Sequence, residues 1–138
     1  MKRTLSILLL SLCAISLMAQ GDNFKCTIVN KDNDCFLRIN LYEESITIPG
    51  QEILGETYGY LKRNNDPRVW IITGVKIDKK DKKASLEIIN DYGSEDLTAE
   101  LIKNDDGTYL FRQLEGSTIK LAVKGKWVKL PKSLIFSK

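Results

Sequence analysis

Between Val69 and Asn90 the sequence alternates in period two on both sides of a polar turn. Val69, Ile71, Thr73, Val75 and Ile77 interleave with Trp70, Ile72, Gly74 and Lys76, and after a Lys/Asp-rich turn Ala84, Leu86 and Ile88 interleave with Ser85, Glu87 and Ile89. That pattern specifies a β-hairpin. With Lys80 and Asp81 at the tip, Ile77 faces Ala84, Val75 faces Leu86 and Thr73 faces Ile88. Loops of about two, four or six residues give the same pairs, so one face stays apolar whichever loop forms.

The flanking sequence extends the pattern. Phe24–Val29 and Cys35–Tyr42 are strand-like around the turn-forming run Asn30–Asp34, with Phe24, Cys26 and Ile28 sharing one face of the first and Cys35, Leu37, Ile39 and Leu41 sharing one face of the second. Ser45–Ile48 is a short strand ended by Pro49-Gly50, and Ile53–Leu61 is expected to be a strand carrying Gly55, Thr57 and Gly59 on one side. Small residues at that spacing mark a sharp bend or a close strand approach. Asn64–Pro67 turns the chain into the hairpin.

Ser94–Lys103 reads either as a helix capped by Ser94 or as a strand with Leu97, Ala99 and Leu101 on one face. The strand is preferred because it has a matching partner just beyond its end. Asp105-Asp106-Gly107 fits a hairpin loop that sets Leu101 opposite Phe111 and Glu100 opposite Arg112. Leu114-Glu115-Gly116 repeats the form and predicts Phe111 opposite Ile119 and Tyr109 opposite Leu121; Gly125-Lys126 predicts Val123 opposite Val128 and Leu121 opposite Leu130. Pro131 breaks the strand, and Leu134–Phe136 is a candidate final edge. The sum is an all-β fold: an antiparallel meander of about eight to ten strands, closed as a lipocalin-like barrel or stacked as a two-layer sandwich. The expected inward set is Ile71, Val75, Ile77, Leu86, Ile88, Leu101, Phe111, Ile119, Leu121 and Val123.

Residues 1–19 read differently. Lys2 and Arg3 precede an uncharged run from Leu5 to Met18 closed by Ala19-Gln20, the form of a secretory signal peptide cut after Ala19. Its apolar run is shorter than a membrane span requires. Residues 20–138 then form a single domain in the periplasm or outside the cell. Loss of Lys2 and Arg3 lowers the net charge from +3 to +1, which gives no support to nucleic acid or anionic lipid as a partner. Two cysteines remain, Cys26 and Cys35. In an oxidising compartment they are expected to form a disulfide, which would add about 2–3 kcal/mol.

The 138 residues contain no histidine. This removes the commonest general base, most zinc sites and any Ser-His or Cys-His nucleophile. No glycine-rich phosphate loop is present, so no cofactor is implied. Carboxylate chemistry of the glycosidase kind is what remains for an enzyme, but most acidic residues fall in turns or opposite basic ones. Asn30, Asp32 and Asp34 open like a calcium loop; the pattern fails at Cys35 and at Leu41, leaving a polar turn.

Binding residues are easier to nominate. Lys79 and Lys82 belong to a lysine-rich hairpin tip, and Lys120, Lys124, Lys126, Lys129 and Lys132 form a second basic group. Either group keeps loops soluble and edges unpaired, or meets an acidic protein or glycan. Trp70 and Trp127 fall on the face opposite the core, with Tyr58 and Tyr60 on the side away from the glycines. Outward aromatics serve as interface anchors or sugar platforms, or pack beneath a covering segment as a second core.

With a leader ending Leu17-Met18-Ala19-Gln20 and the strand Gly55-Glu56-Thr57-Tyr58-Gly59-Tyr60, the chain resembles small exported β-barrel proteins of gut-type Gram-negative bacteria. In size and in its single cysteine pair it also resembles periplasmic inhibitors of lysozyme and immunity proteins against interbacterial toxins. The resemblance implies a non-enzymatic protein that binds another protein, and no functional residue carries over. The alternatives are a lipocalin-like carrier of a small apolar ligand and a carboxylate-based hydrolase.

Overall fold

The computed structural model describes residues 21–138; the leader expected over residues 1–19 lies outside the described residues. The fold is all-β, an eight-stranded antiparallel sheet rolled into a nearly closed barrel. Its strands are β1 (Lys25–Asn30), β2 (Cys35–Asn40), β5 (Gly59–Arg63), β6 (Val69–Ile77), β7 (Lys83–Asn90), β8 (Asp96–Lys103), β9 (Tyr109–Gly116) and β12 (Ser133–Phe136), paired in that order. Two small hairpins lie outside this sheet: β3 (Ile46–Thr47) with β4 (Glu56–Thr57), and β10 (Lys120–Val123) with β11 (Lys126–Lys129). The barrel closes where Val29 and Ser137 exchange backbone hydrogen bonds of 2.8 and 2.9 Å, supported by Asn30 Nδ2 donating to the Ile135 carbonyl at 2.9 Å.

An eight-stranded barrel is just wide enough for side chains to fill it. Here Phe24, Ile28, Leu37, Ile72, Leu86, Ile88, Leu101, Tyr109, Phe111 and Phe136 do so, all buried. Phe111 and Phe136 meet edge to face, as do Phe24 and Tyr109.

The β6–β7 hairpin keeps its expected register as far as Ile77 against Ala84 and Val75 against Leu86. Beyond that the register steps: Gly74 pairs with Glu87, but Ile72, not Thr73, pairs with Ile88. Thr73 is the extra residue of a β-bulge, exposed, with its hydroxyl donating to the Glu87 carbonyl at 3.4 Å. One extra residue inverts the faces of everything before it. Trp70 and Ile72 therefore point into the barrel, and Ile71, expected inside, points out.

Ile71 is nevertheless buried. With Val69 and Tyr60 it packs under Ile48, flanked by Phe36, Ile46 and Ile89, to make a second core on the outer wall. The cover is the β3–β4 hairpin. Ile53–Leu61 is not the single strand expected: Glu52–Leu54 forms a 3-10 turn, Gly55 (φ +74) redirects the chain, and β4 and β5 follow. Gly59 does mark a close approach. At φ +149, a side-chain carbon there would run into the Arg38 carbonyl and Ile39 of β2.

Residues 94–103 are strand, as preferred, and Leu101 faces Phe111 while Glu100 faces Arg112 with an ion pair of 2.8 Å. The registers expected after Phe111 are wrong. Leu114 and Glu115 form a bulge in β9 opposite Thr98, not a hairpin loop, with Gly116 (φ +96) paired beyond it against Leu97. The far edge of β9 is taken by β12, setting Leu134 opposite Phe111 and Phe136 opposite Tyr109. The Leu134–Phe136 edge is thus a staple that closes the barrel. The β10–β11 turn is Lys124-Gly125, with φ +51 and +77, so Val123 faces Lys126 and Leu121 faces Val128. Positive φ at both central residues is the turn that matches strand twist.

The expected disulfide does not form: Cys26 and Cys35 are both free. Cys26 lies opposite Ile39, and Cys35 lies opposite Asn30. Four residues of strand separate the two sites, about 13 Å along the sheet, and a disulfide tolerates Cα separations only to about 7 Å. Cys35 is buried, and burial, with Asp34 adding to it, pushes its thiol up to about 11. Both thiols should react in denatured, unreduced protein. In folded protein Cys35 should stay silent at mildly alkaline pH, its reaction rising only as pH nears that value or the barrel opens; a denatured chain in which neither reacts would contradict this arrangement.

Candidate functional site

The long segment between β9 and β12 does not run free over the surface. It folds back as the β10–β11 hairpin across the barrel end formed by the β5–β6 and β7–β8 turns. Its Ile119, Leu121 and Leu130 join the interior core. Gln113 holds both stems: buried at the end of the inward row Tyr109, Phe111, Gln113, it accepts from the Ile119 N–H at 2.8 Å and donates to the Pro131 carbonyl at 3.1 Å. The near edge of β10 is held by side chains as well. The Trp70 indole N–H donates to the Lys120 carbonyl at 3.2 Å, and Arg63 Nη1 donates to the Ala122 carbonyl at 3.3 Å. Lys120 Nζ adds an ion pair to Glu95 at 3.2 Å.

Between this hairpin and the two turns lies an open cleft of about 460 Å³. Val69, Trp70, Leu121 and Ala122 supply apolar surface to it, and Arg63, Arg68, Lys120, Lys129, Asp66, Asp91 and Glu95 supply the polar part. Two aromatics stand at it uncovered. Trp127 is 63% exposed, and Tyr92 is 83% exposed. The Arg68 guanidinium sits 4.8 Å from the Trp127 ring centroid, a cation–π contact worth about 0.5–1 kcal/mol at an exposed site that favours this ring position. The cleft carboxylates are already occupied: Asp66 accepts from the Arg68 N–H at 2.9 Å, Glu95 holds Lys120, and Asp91 takes Gln51 Nε2 at 3.4 Å.

Of the residues nominated from sequence, the structure brings Trp70 and Trp127 together here, with Lys120 and Lys129 of the second basic group. Trp70 is a correction: it is 5% exposed and serves as wall and anchor, not as an outward platform. Tyr60 is buried beneath the β3–β4 cover, while Tyr58 lines a separate shallow groove with Leu54 and Ile71. Lys79 and Lys82 are exposed at the opposite end of the β6–β7 hairpin. That tip has a structural task. Asp81 accepts from the Tyr42 hydroxyl at 2.6 Å, and its carbonyl accepts from Asn23 Nδ2 at 2.7 Å.

Sequence reasoning missed Gln113, Arg63, Arg68 and Tyr92. Only Gln113 left a signal, as a polar residue on an inward row. Among the described residues no group of three or more His, Cys, Asp or Glu is placed to hold a metal ion, and Asn30, first of the calcium-like run, spends its Oδ1 on the turn amide of Asn33 at 2.9 Å. No helix among the described residues is long and apolar enough to cross a membrane. Comparison with protein-family models, with curated proteins and with solved structures finds no match.

The clamp made by Gln113 gives a direct test. Gln113→Leu keeps the volume but strands the buried Ile119 N–H, at about 1–3 kcal/mol, while the Pro131 carbonyl, on an exposed residue, can turn to water. Urea denaturation should show a loss of that size, and amide exchange in β10 and β11 should rise; unchanged stability and exchange would contradict the clamp.

Proposed function

We propose that this chain is a non-enzymatic, exported binding protein that docks another protein at the cleft beneath the β10–β11 hairpin. Trp127 carries the reading. A large ring, 63% exposed, in contact with Arg68 beside an apolar floor and with only about two rotatable bonds to order, costs little entropy when a partner buries it. Tyr92 across the cleft, 83% exposed, adds a second aromatic that a partner can bury. The leader-like pattern over residues 1–19 supports a periplasmic or secreted location.

Packing weighs against carriage inside the barrel, because Phe24, Tyr109, Phe111 and Phe136 occupy its interior. A small ligand in the external cleft is the second reading, favoured by a volume of about 460 Å³, within the range of ligand sites. The hydrolase reading has less support, since Asp66, Asp91 and Glu95 are spent on neighbouring donors. Lys79 and Lys82 lie outside the proposed surface.

The test is comparative capture from periplasmic extract and culture supernatant. A protein retained by the wild type should be held at least about 30-fold more weakly by Trp127→Ala, the loss of about 2 kcal/mol that marks a hot spot. Tyr92→Ala should weaken it too, and Lys79→Glu combined with Lys82→Glu should not. A partner held equally by the Trp127→Ala protein would contradict the proposal.

A further inference from the structure

We propose that the outer edge of β11 takes an acidic, extended segment of a partner protein as an added β-strand; this rests on the reading of the adjoining cleft as a docking site. The backbone supplies the first argument. A two-residue turn at Lys124-Gly125 makes Val123 and Lys126 a hydrogen-bonded pair, as Leu121 and Val128 then are. The N–H and C=O groups of the alternate residues must point away from the hairpin. On β10 those groups belong to Lys120 and Ala122, and the barrel satisfies their carbonyls through Trp70 and Arg63. On β11 they belong to Trp127 and Lys129, and among the described residues nothing pairs with that edge. The hairpin is thus fixed along one edge and open along the other.

Side chains supply the second argument. Residues 117–138 contain six lysines and no Asp or Glu, and Lys124, Lys126, Lys129 and Lys132 are all exposed around this edge. Lysines at a strand edge ordinarily keep it unpaired. A second copy of β11 would set lysine against lysine, which disfavours self-pairing. An acidic strand reverses that sign. Trp127 and Val128, 63% and 45% exposed on opposite faces, add apolar surface that a purely repellent edge would omit. The strand that complements Lys126-Trp127-Val128-Lys129 reads acid, apolar, apolar, acid. That order is palindromic, so it suits either strand direction.

The probe is a capped hexapeptide in which two glutamates bracket two aliphatic residues, added at millimolar concentration to the isotope-labelled protein. Strand addition should slow exchange of the Trp127 and Lys129 amides several-fold, and a backbone N-methylated version of the peptide should have no effect. Lys126→Glu combined with Lys129→Glu should abolish the response and transfer it to a peptide carrying lysines in place of the glutamates. Three results overturn the proposal: no response to the peptide, equal binding of the N-methylated version, or slowed exchange produced by dextran sulfate and not by the peptide. A captured partner that depends on Trp127 yet leaves the two amides unprotected would keep the docking reading and remove strand addition. A partner indifferent to Trp127 that still protects both amides would do the reverse.

Discussion

A single extra residue in β6 decides what the rest of this molecule can be. The bulge at Thr73 lets Val75 and Ile77 face the interior on one side of it and Trp70 and Ile72 on the other. Without it, Trp70 would lie on the outer wall. Because the ring turns inward at the barrel end, its N–H meets the Lys120 carbonyl, and a buried indole needs such a partner. That bond, with those from Arg63 and Gln113, holds the β10–β11 hairpin across the end. The cleft exists because the hairpin is held there. The same inversion puts Val69 and Ile71 outside, which explains why β3 and β4 leave the main sheet to cover them.

Closure obeys a related logic of edges. A rolled sheet must pair its first and last strands or leave rows of unsatisfied backbone groups. Here the last strand is reached late, after the chain has spent residues 117–132 on the capping segment, and β12 then takes both the free edge of β9 and the Val29 position of β1. Cys26 and Cys35 are left on inward faces four residues apart in register, where they act as small apolar side chains and Cys26 approaches the Tyr109 hydroxyl at 3.7 Å.

Where hydrophobic alternation and turn chemistry agree, the structure was legible residue by residue: Ile77 with Ala84, Val75 with Leu86, Leu101 with Phe111 and Glu100 with Arg112 all pair as read. The failures share a cause. A bulge shifts register by one with no change in the hydrophobic alternation, and its only local mark is the strand-interior Gly74 beside Thr73. Gly116 looks like a loop glycine and is a strand residue just past the bulge at Leu114 and Glu115. The partner of β9 is β12, a choice set by barrel closure across more than twenty residues and therefore invisible to local pattern. The site was half legible for the same reason. Trp127 stood out as an outward aromatic, whereas Arg63 at the end of β5, and Arg68 and Tyr92 in the turns, reach a cleft whose walls only the closed barrel brings together.

The inward turn of Trp70 is the claim on which the hairpin, the cleft and the docking surface depend. Trp127→Phe leaves Trp70 as the only tryptophan without disturbing a buried residue. Its emission in the folded protein should be blue-shifted and resist acrylamide, moving to the red and becoming readily quenched on unfolding. Red-shifted, easily quenched emission from the folded Trp127→Phe protein would place Trp70 on the outer wall and contradict the bulge at Thr73.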